Sequence, residues 1–347
     1  MNSAVSAAKE QKVEALQVMR ALAALLVVLH HSLSGKDWMD TNPLNAFDFG
    51  AIGVQVFFVI SGYIICRVGG REDFWKFSYS RITRVVPIYW LFTALFLASK
   101  LAVSGGRELP GAGEIAASLL FVPHYSSFRP DQIWPVLIPG WTLNYEMFFY
   151  GLFAVGILIG RPAIFSVAAI VVSIGFGYLF ADAGVVFKFL ENPVTLFFVL
   201  GVLIAKFEDA IPKRPVFALV GVLIWGASDP APLDPTLKFL AAYASAGLIL
   251  LGSLSVKGGK SSPTMRFLQS LGDASYSLYL SHTIVLAVVY KVLARLNLSG
   301  YVEFSVVVCV GLAASIAGGF ASYRVIERPL MKFFKSAWRS RAPLATA

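Results

Sequence analysis

The sequence predicts an all-α membrane protein with about ten transmembrane helices. Of its 347 residues 57% are hydrophobic and 14% are charged, and the mean hydropathy is +0.71. A soluble domain carries about 25% charged residues, and one of this size could not bury 28 phenylalanines. The third observation is a series of apolar runs, each near the length needed to cross a hydrocarbon core of about 30 Å.

Ten such runs divide the chain, and each predicts a membrane helix. They lie at 15–33, 50–68, 84–103, 140–160, 162–180, 193–207, 215–228, 236–254, 274–293 and 303–323. The sixth and seventh runs are short and could instead form one tight hairpin or a tilted pair. We therefore expect ten spans, with an error of two.

The basic residues orient this arrangement of helices. The net charge of +9 would suggest nucleic acid in a soluble chain. Here, however, 21 of the 29 Lys and Arg fall on one side of the ten spans. That side consists of 1–20, 67–84, 161, 206–214, 257–266 and the chain from 324. Because cytoplasmic loops are enriched in Lys and Arg, we expect both termini in the cytoplasm and no nucleic-acid partner.

Three parts of the chain follow from this arrangement. Residues 1–14 are a polar cytoplasmic segment unlike a secretory leader, 15–335 form the transmembrane domain, and 336–347 are a basic cytoplasmic tail. Within the domain, 104–139 form a long outer connection. Its Phe, Tyr and Trp content argues against disorder, so we expect an ordered lid or a re-entrant piece.

The first apolar run carries polar groups at both ends, and such groups are costly in lipid. Arg20 and His31 are eleven residues apart, so on a helix they share one face to within about 20° and lie about 16 Å apart along the axis. They could line one groove through the membrane. Alternatively, Arg20 extends to the interface and His31 lies among the outer headgroups.

The fourth run, PGWTLNYEMFFYGLF, contains Asn144 and Glu146. Glu146 lies two turns from the outer end, near the depth expected for His31. A carboxylate can orient an imidazole and raise its basicity, so we expect Glu146 and His31 to form a pair. A structural ion pair, or a neutral glutamic acid bonded to the backbone, is the alternative.

Other polar side chains have both a structural and a functional interpretation. Ser275, Tyr279 and His282 share a face of SYSLYLSHT, and Ser61 lies in VFFVISGYII. Hydroxyl groups of this kind often only join helices.

Arg81 and Arg84 share a face of the third helix and could bind phosphates or merely anchor the topology. Cys66 and Cys309 lie in apolar runs and predict neither a disulfide nor a metal cluster. No metal site is expected from the histidines, which are His30, His31, His124 and His282, because no Cys or carboxylate stands at ligand spacing.

Together these residues resemble the acyltransferase-3 family of integral membrane acyltransferases, particularly the stand-alone bacterial exopolysaccharide O-acetyltransferases. Six motifs over about 15–335 carry the resemblance, each weak alone but specific in this order. They are Arg20-x10-His31, GVQVFFVISGYII, Arg81-x-x-Arg84, Trp141-Thr142-Leu143-x-x-Glu146-x-x-Phe149-Tyr150, Tyr276-Ser277-Leu278-Tyr279-Leu280 ending at His282, and Glu327-Arg328-Pro329.

The resemblance implies transfer of an acyl group, usually acetyl, from cytoplasmic acetyl-CoA to a carbohydrate hydroxyl, in the cytoplasmic membrane of a bacterium. The implied partners are acyl-CoA as co-substrate, a polysaccharide or lipid-linked oligosaccharide as acceptor, and the bilayer. Neither a tightly bound cofactor nor a metal is expected.

The same hypothesis gives the predicted residues their roles. Arg20, Arg81 and Arg84 would meet the phosphates of the donor. His31, held by Glu146, would be the general base or would form an acyl-histidine. The residues expected to bind substrate or support the site are Ser61, Trp141, Asn144, Tyr279 and His282.

A proton-coupled transporter, or a flippase of a lipid-linked saccharide, is the main alternative function. Intramembrane Glu and His residues also mark such carriers. Carriers often consist of two related halves, and no half-length repeat is apparent in this sequence. A scaffold subunit of an export complex would leave Glu146 and His31 unexplained.

Overall fold

The computed structural model describes residues 2–34, 41–104, 109–256 and 262–341. Within these ranges the chain forms fourteen α-helices and no β-strand. The helices are α1 (Asn2–Ser34), α2 (Phe49–Val68), α3 (Phe74–Ser104), α4 (Ala112–Leu119), α5 (Gly140–Leu158), α6 (Pro162–Leu179), α7 (Val185–Leu190), α8 (Leu196–Lys206), α9 (Val216–Ser228), α10 (Pro235–Ser253), α11 (Pro263–Asp273), α12 (Ser275–Leu293), α13 (Gly300–Ser322) and α14 (Arg328–Arg341). The predicted all-α polytopic fold is confirmed.

All ten predicted apolar runs are helical, although they differ in length and polarity. Seven helical stretches among the described residues are long and apolar enough to cross a membrane. They are Glu14–Leu33, Phe49–Arg71, Phe74–Ala102, Pro162–Leu179, Pro235–Ser253, Ser275–Leu296 and Gly300–Ser340. Helix α5 has 19 residues but contains polar ones, whereas α8 and α9 are apolar but short, with 11 and 13 residues.

Small residues allow the short helix α8 to pack closely on α2. A Cβ atom on Gly62 of α2 would lie 2.1 Å from the carbonyl oxygen of Phe198, and one on Gly201 of α8 would lie 2.1 Å from that of Val59. At these distances the two backbones are in direct contact. Glycine is therefore required on both sides of this crossing.

The bundle has two ends that differ in chemistry. At the first, which we call the basic end, lie the start of α3, the start of α12 and all of α14. Gln17 of α1 lines the same cavity as the side chains of α14, so the first and the last helix both border this cavity. At the second, which we call the histidine end, α1 finishes and α2 and α5 begin.

The long connection predicted over 104–139 packs against the histidine end. Its described part contains α4, whose last turn is bonded to α3: Tyr89 donates to the carbonyl of Ser118 and Trp90 to that of Leu119. The Oγ of buried Ser118 in turn accepts from the backbone N–H of Val136. These hydrogen bonds hold α4 against α3 and join the two parts of the connection to each other. Residues 131–134 of the connection reach a cavity that is described below.

Helix α14 continues from α13 through a π-helical turn at Tyr323–Glu327. Tyr79 of α3 donates a hydrogen bond to the carbonyl of Phe334, and its ring lies 4.7 Å from that of Trp338. The helix crosses the predicted domain boundary at 335. The remaining part of the predicted tail, 342–347, lies outside the described residues. Most side chains of the predicted N-terminal segment also lie outside them.

Candidate active site

Three adjacent cavities lie between the two ends of the bundle. The basic cavity has a volume of about 880 Å³, the middle cavity about 90 Å³, and the histidine cavity about 740 Å³. Arg20 and Arg84 line both the basic and the middle cavity. Val54 and Tyr279 line both the middle and the histidine cavity. Neighbouring cavities therefore share wall residues, and the three form one row from the basic end to the histidine end.

Three arginines give the middle cavity an excess of positive charge. Arg20 comes from α1, and Arg81 and Arg84 come from one face of α3. None of the three forms an ion pair in the part of the chain that the structure describes. The facing carboxylate of Glu146 accepts hydrogen bonds instead from Ser61 (2.9 Å) and Tyr150 (2.5 Å). Because unpaired cations are costly inside a membrane protein, this cavity favours an anionic ligand.

The histidine cavity contains an imidazole whose tautomer is set by a backbone contact. The Nδ1 of His31 lies 2.9 Å from the carbonyl oxygen of Val27. Since a carbonyl can only accept, Nδ1 must carry the hydrogen, and the lone pair is on Nε2. His31 also lines the cavity, and Tyr290 donates to its backbone carbonyl at 2.6 Å. The ring is thus fixed in the tautomer that carries its hydrogen on Nδ1, and the basic Nε2 lies on the side of the ring away from Val27.

Two further histidines contact His31. The His282 ring lies 4.8 Å from it and the His30 ring 5.1 Å from it, centroid to centroid. The Nδ1 of His282 donates to the carbonyl of Tyr279 at 2.6 Å, while its Nε2 is buried and has no partner among the described residues. His30 is paired with Asp48 at 3.2 Å. The three imidazoles form a continuous row beside the cavity.

The predicted direct pair between His31 and Glu146 is wrong. The carboxylate of Glu146 is bonded to Ser61 and Tyr150 in the middle cavity, whereas the imidazole of His31 is bonded to Val27 in the next cavity. The prediction counted turns from the start of α5 as depth below the outer surface. Helix α5 instead begins at buried Gly140, just after the fully buried Val136 and Leu137, so turns counted from its start do not measure depth below the surface.

The structure distributes the other predicted residues unevenly. Ser61 and Tyr279 line the middle cavity and Trp141 lines the histidine cavity. His282 lies behind His31 and is fully buried. Asn144 lines none of the three cavities: it is buried, and its Oδ1 lacks a hydrogen-bond partner among the described residues.

Several residues at these cavities were not predicted. Tyr150 contacts Glu146 from one turn further along α5, a spacing of four residues that the sequence does display. Thr142 bonds the hydroxyl of Tyr279 across two helices at 2.8 Å. Glu327 accepts from both the N–H and the hydroxyl of Ser277. The last two contacts join residues far apart in sequence, and only the packing of α12 against other helices reveals them.

Comparison with known proteins identifies the family. The profile of the Acyltransferase domain of the acyltransferase-3 type matches residues 13–324. The chain belongs to the acyltransferase-3 family. Exopolysaccharide production protein ExoZ of Rhizobium meliloti (strain 1021) is 34% identical to it over 320 residues, which cover 87% of this chain and 94% of that protein. Acyltransferase MdmB of Streptomyces mycarofaciens is 24% identical over 377 residues, covering 97% and 95%. No solved structure matches.

This acyltransferase-3 protein is therefore a membrane acyltransferase, and the resemblance drawn from the six motifs is confirmed. Its family motifs are not scattered over the structure. The Arg20-x10-His31 motif connects the middle and histidine cavities along α1, and the Arg81-x-x-Arg84 motif faces the middle cavity from α3. The acyltransferase motifs thus follow the row of cavities between the two ends.

Proposed function

We propose that this acyltransferase moves an acyl group, most simply acetyl, from acyl-CoA at the basic end to a saccharide hydroxyl at the histidine end. One observation carries the proposal. Along one row of cavities, Arg20 and Arg84 form no ion pair with any described carboxylate at the start, and Nε2 of His31 has no hydrogen-bond partner among the described residues near the finish. With the basic end in the cytoplasm of a bacterium, where acyl-CoA is made, the row of cavities would bring the donor to an acceptor on the outer side of the inner membrane.

The basic end suits the donor because it combines room with positive charge. The phosphates of acyl-CoA would be bound in the basic cavity by Arg20 and Arg84, whose guanidinium groups can form paired hydrogen bonds with phosphate oxygens. The extended pantetheine arm is thin enough for the narrow middle cavity, which admits little else. Arg81 would lie beside this arm. The thioester would then arrive near Tyr279.

His31 would carry out the proton transfers. Its Nε2 would take the proton of the acceptor hydroxyl as the oxygen attacks the thioester carbonyl. The C–S bond then breaks, and the imidazolium returns the proton to the departing CoA thiolate. An acyl-histidine route, in which Nε2 itself attacks first, uses the same geometry. In either route Glu146 does not orient the base; it offsets part of the arginine charge and links α2 to α5 through Ser61.

The histidine cavity suits a saccharide acceptor. Aromatic rings can stack on the apolar faces of sugars, and amides and carboxylates can bond their hydroxyls. Both kinds of residue line this cavity: Trp134, Trp141, Tyr145, Tyr178, Gln55, Asp131, Gln132 and Asn192. Its volume of about 740 Å³ lies within the usual range for ligand pockets, about 300–1,000 Å³. The relative ExoZ is an exopolysaccharide production protein, which supports a saccharide acceptor.

A transfer assay tests the proposal. Purified protein in phosphatidylcholine nanodiscs is given acetyl-CoA labelled in the acetyl group and the exopolysaccharide of a strain that lacks this gene. We expect label in the polysaccharide, and the His31→Ala variant should lose at least about 100-fold of the rate because the base is missing. His124→Ala is the matched control, since His124 lines none of the three cavities. Full activity in His31→Ala, or saccharide transport without release of CoA, would refute the proposal.

A further inference from the structure

Helix α14 carries an unusual stripe of positive charge. Arg328, Lys332, Lys335 and Arg339 follow one another at intervals of four, three and four residues. On an α-helix this spacing places all four on one face, within about 60°. All four side chains line the basic cavity. The four side chains are exposed, and like charges at these intervals destabilise a helix by about 0.2–0.5 kcal/mol per pair, so a bound anion would stabilise the stripe.

No described carboxylate forms an ion pair with the stripe. In the described part of α14 there is no acidic residue, and none of the four cations forms an ion pair with any other described residue. Three carboxylates face the cavity, but each has another partner. Glu72 pairs with Lys76, Asp273 accepts from Gln17, and Glu327 accepts from Ser277. Seven cations line the cavity against these three carboxylates, so its lining keeps a positive excess that favours an anionic ligand; the cations are Arg20, Lys76, Arg84, Arg328, Lys332, Lys335 and Arg339.

Aromatic rings beside the stripe restrict the nature of this anion. Trp338 and Phe334 are on the flank of α14 next to the basic face, and both line the cavity. Tyr79 of α3 holds this flank by its hydrogen bond to the Phe334 carbonyl and by its ring contact with Trp338. A half-buried indole beside a row of cations is suited to a ligand that has a flat ring system and several phosphates, because aromatic side chains stack on nucleobases.

We propose that α14 forms the binding wall for the nucleotide end of the donor, an adenine nucleotide with several phosphates. This inference rests on the acyl-CoA donor proposed above and extends it to residues that the donor hypothesis did not include. The stripe binds the phosphates and Trp338 stacks on the base. Arg20 and Arg84, shared with the middle cavity, bind the phosphates nearest the acyl arm, which continues toward Tyr279. A lipid headgroup could supply phosphate too, but it offers no ring for Trp338 and no reason for the cavity to continue inward.

Two donors of different length distinguish a role in binding the nucleotide from a role at the reaction centre. Initial rates are measured in phosphatidylcholine nanodiscs with acetyl-CoA and with S-acetylpantetheine, which lacks the nucleotide. One variant combines Lys332→Gln with Lys335→Gln, and the other carries Trp338→Ala alone. We expect each to raise KM for acetyl-CoA by about tenfold or more, since a charge-assisted bond or a stacking contact is lost, and to leave kcat and the rate with S-acetylpantetheine unchanged.

Arg324→Gln is the matched control, because it removes a cation just before α14 that lines none of the three cavities and rests on Phe320. Its KM should equal that of the wild type. Calorimetric titration with adenosine 3′,5′-bisphosphate gives a readout without turnover: the wild type and the control should bind it, and the α14 variants should bind it at least about tenfold more weakly.

The outcomes distinguish the inference from the proposed function. If the wild type uses acetyl-CoA and the α14 variants behave like Arg324→Gln, the role of α14 is refuted while the donor stands. If the wild type neither uses acetyl-CoA nor binds the bisphosphate, the donor itself is wrong and the inference fails with it. If the variants differ from the control only in nanodiscs that contain phosphatidylglycerol, the anion is a lipid headgroup and the inference is refuted.

Discussion

Tyr279 forms the partition between the donor and acceptor sides of the row of cavities, and its removal gives a sharp prediction. The side chain is 7% exposed and lines both the middle and the histidine cavity. Its hydroxyl donates to the Pro139 carbonyl at 3.0 Å and is bonded to Thr142 at 2.8 Å. The ring therefore stands in the wall that the two cavities share, and the two hydrogen bonds of its hydroxyl hold it there.

The two obvious substitutions should act differently. Tyr279→Phe keeps the ring and loses only the interhelical hydrogen bonds, which contribute about 0.6 kcal/mol each on average in membrane proteins. We expect it to lower the free energy of unfolding by about 1 kcal/mol and to keep the partition. Tyr279→Ala removes a buried aromatic side chain, at a cost of about 3–5 kcal/mol, and joins the two cavities.

If the two cavities are joined, cleavage of the thioester should no longer be coupled to transfer of the acyl group to the saccharide. Water from the histidine cavity would reach the thioester, so Tyr279→Ala should release CoA from acetyl-CoA without any saccharide present. The assay follows free thiol with and without acceptor, in protein shown to be monodisperse. Tyr279→Phe is the matched control and should hydrolyse no faster than the wild type. Equal acceptor-independent release in all three proteins would show that Tyr279 does not separate the cavities.

Two further predictions concern the bundle that supports the site. Glu208→Ala should lower the free energy of unfolding by about 1–3 kcal/mol. The loss is smaller than for a fully buried ion pair because Arg67, bonded to Glu208 at 3.0 Å, is 42% exposed. Asp209→Ala, at an exposed neighbour, is the control, and unchanged thermal stability of both variants would contradict this prediction. Gly201→Ala should lower the free energy of unfolding by about 1–3 kcal/mol because it forces α2 and α8 apart. It should also reduce expression relative to the control Gly175→Ala, whose Cβ would meet open space. Equal melting temperatures of the two variants would argue against the close crossing.

The location of Glu146 changes how the site is understood. Placed beside His31, it would have been part of a base dyad. Placed with Ser61 and Tyr150 among three arginines, it belongs to the donor side instead. The contacts of His31 are then the carbonyl of Val27 and the rings of His30 and His282, so its orientation depends on the backbone of its own helix and on α12.

Periodicity and charge were sufficient for some features of the site. Arg20 and His31 lie on one helix, where a fixed rise and rotation per residue determine their relation, and the two do line successive cavities of one row. Arg81 and Arg84 were likewise predictable as neighbours on one face. The sequence even displayed the stripe on α14, although nothing in its spacing identified the cavity that it faces.

The sequence by itself determined that this chain is helical, that it belongs in a membrane and which residues share a helix face, because hydropathy and helical geometry are local properties. Only the tertiary structure decided which helices face one another and at what depth. The level of Glu146 depends on where α5 begins after the connection from α4, and the contacts of Thr142 with Tyr279 depend on the packing of α5 against α12. Such relations are fixed by the packing of surfaces distant in sequence, for which a single chain gives no local signal.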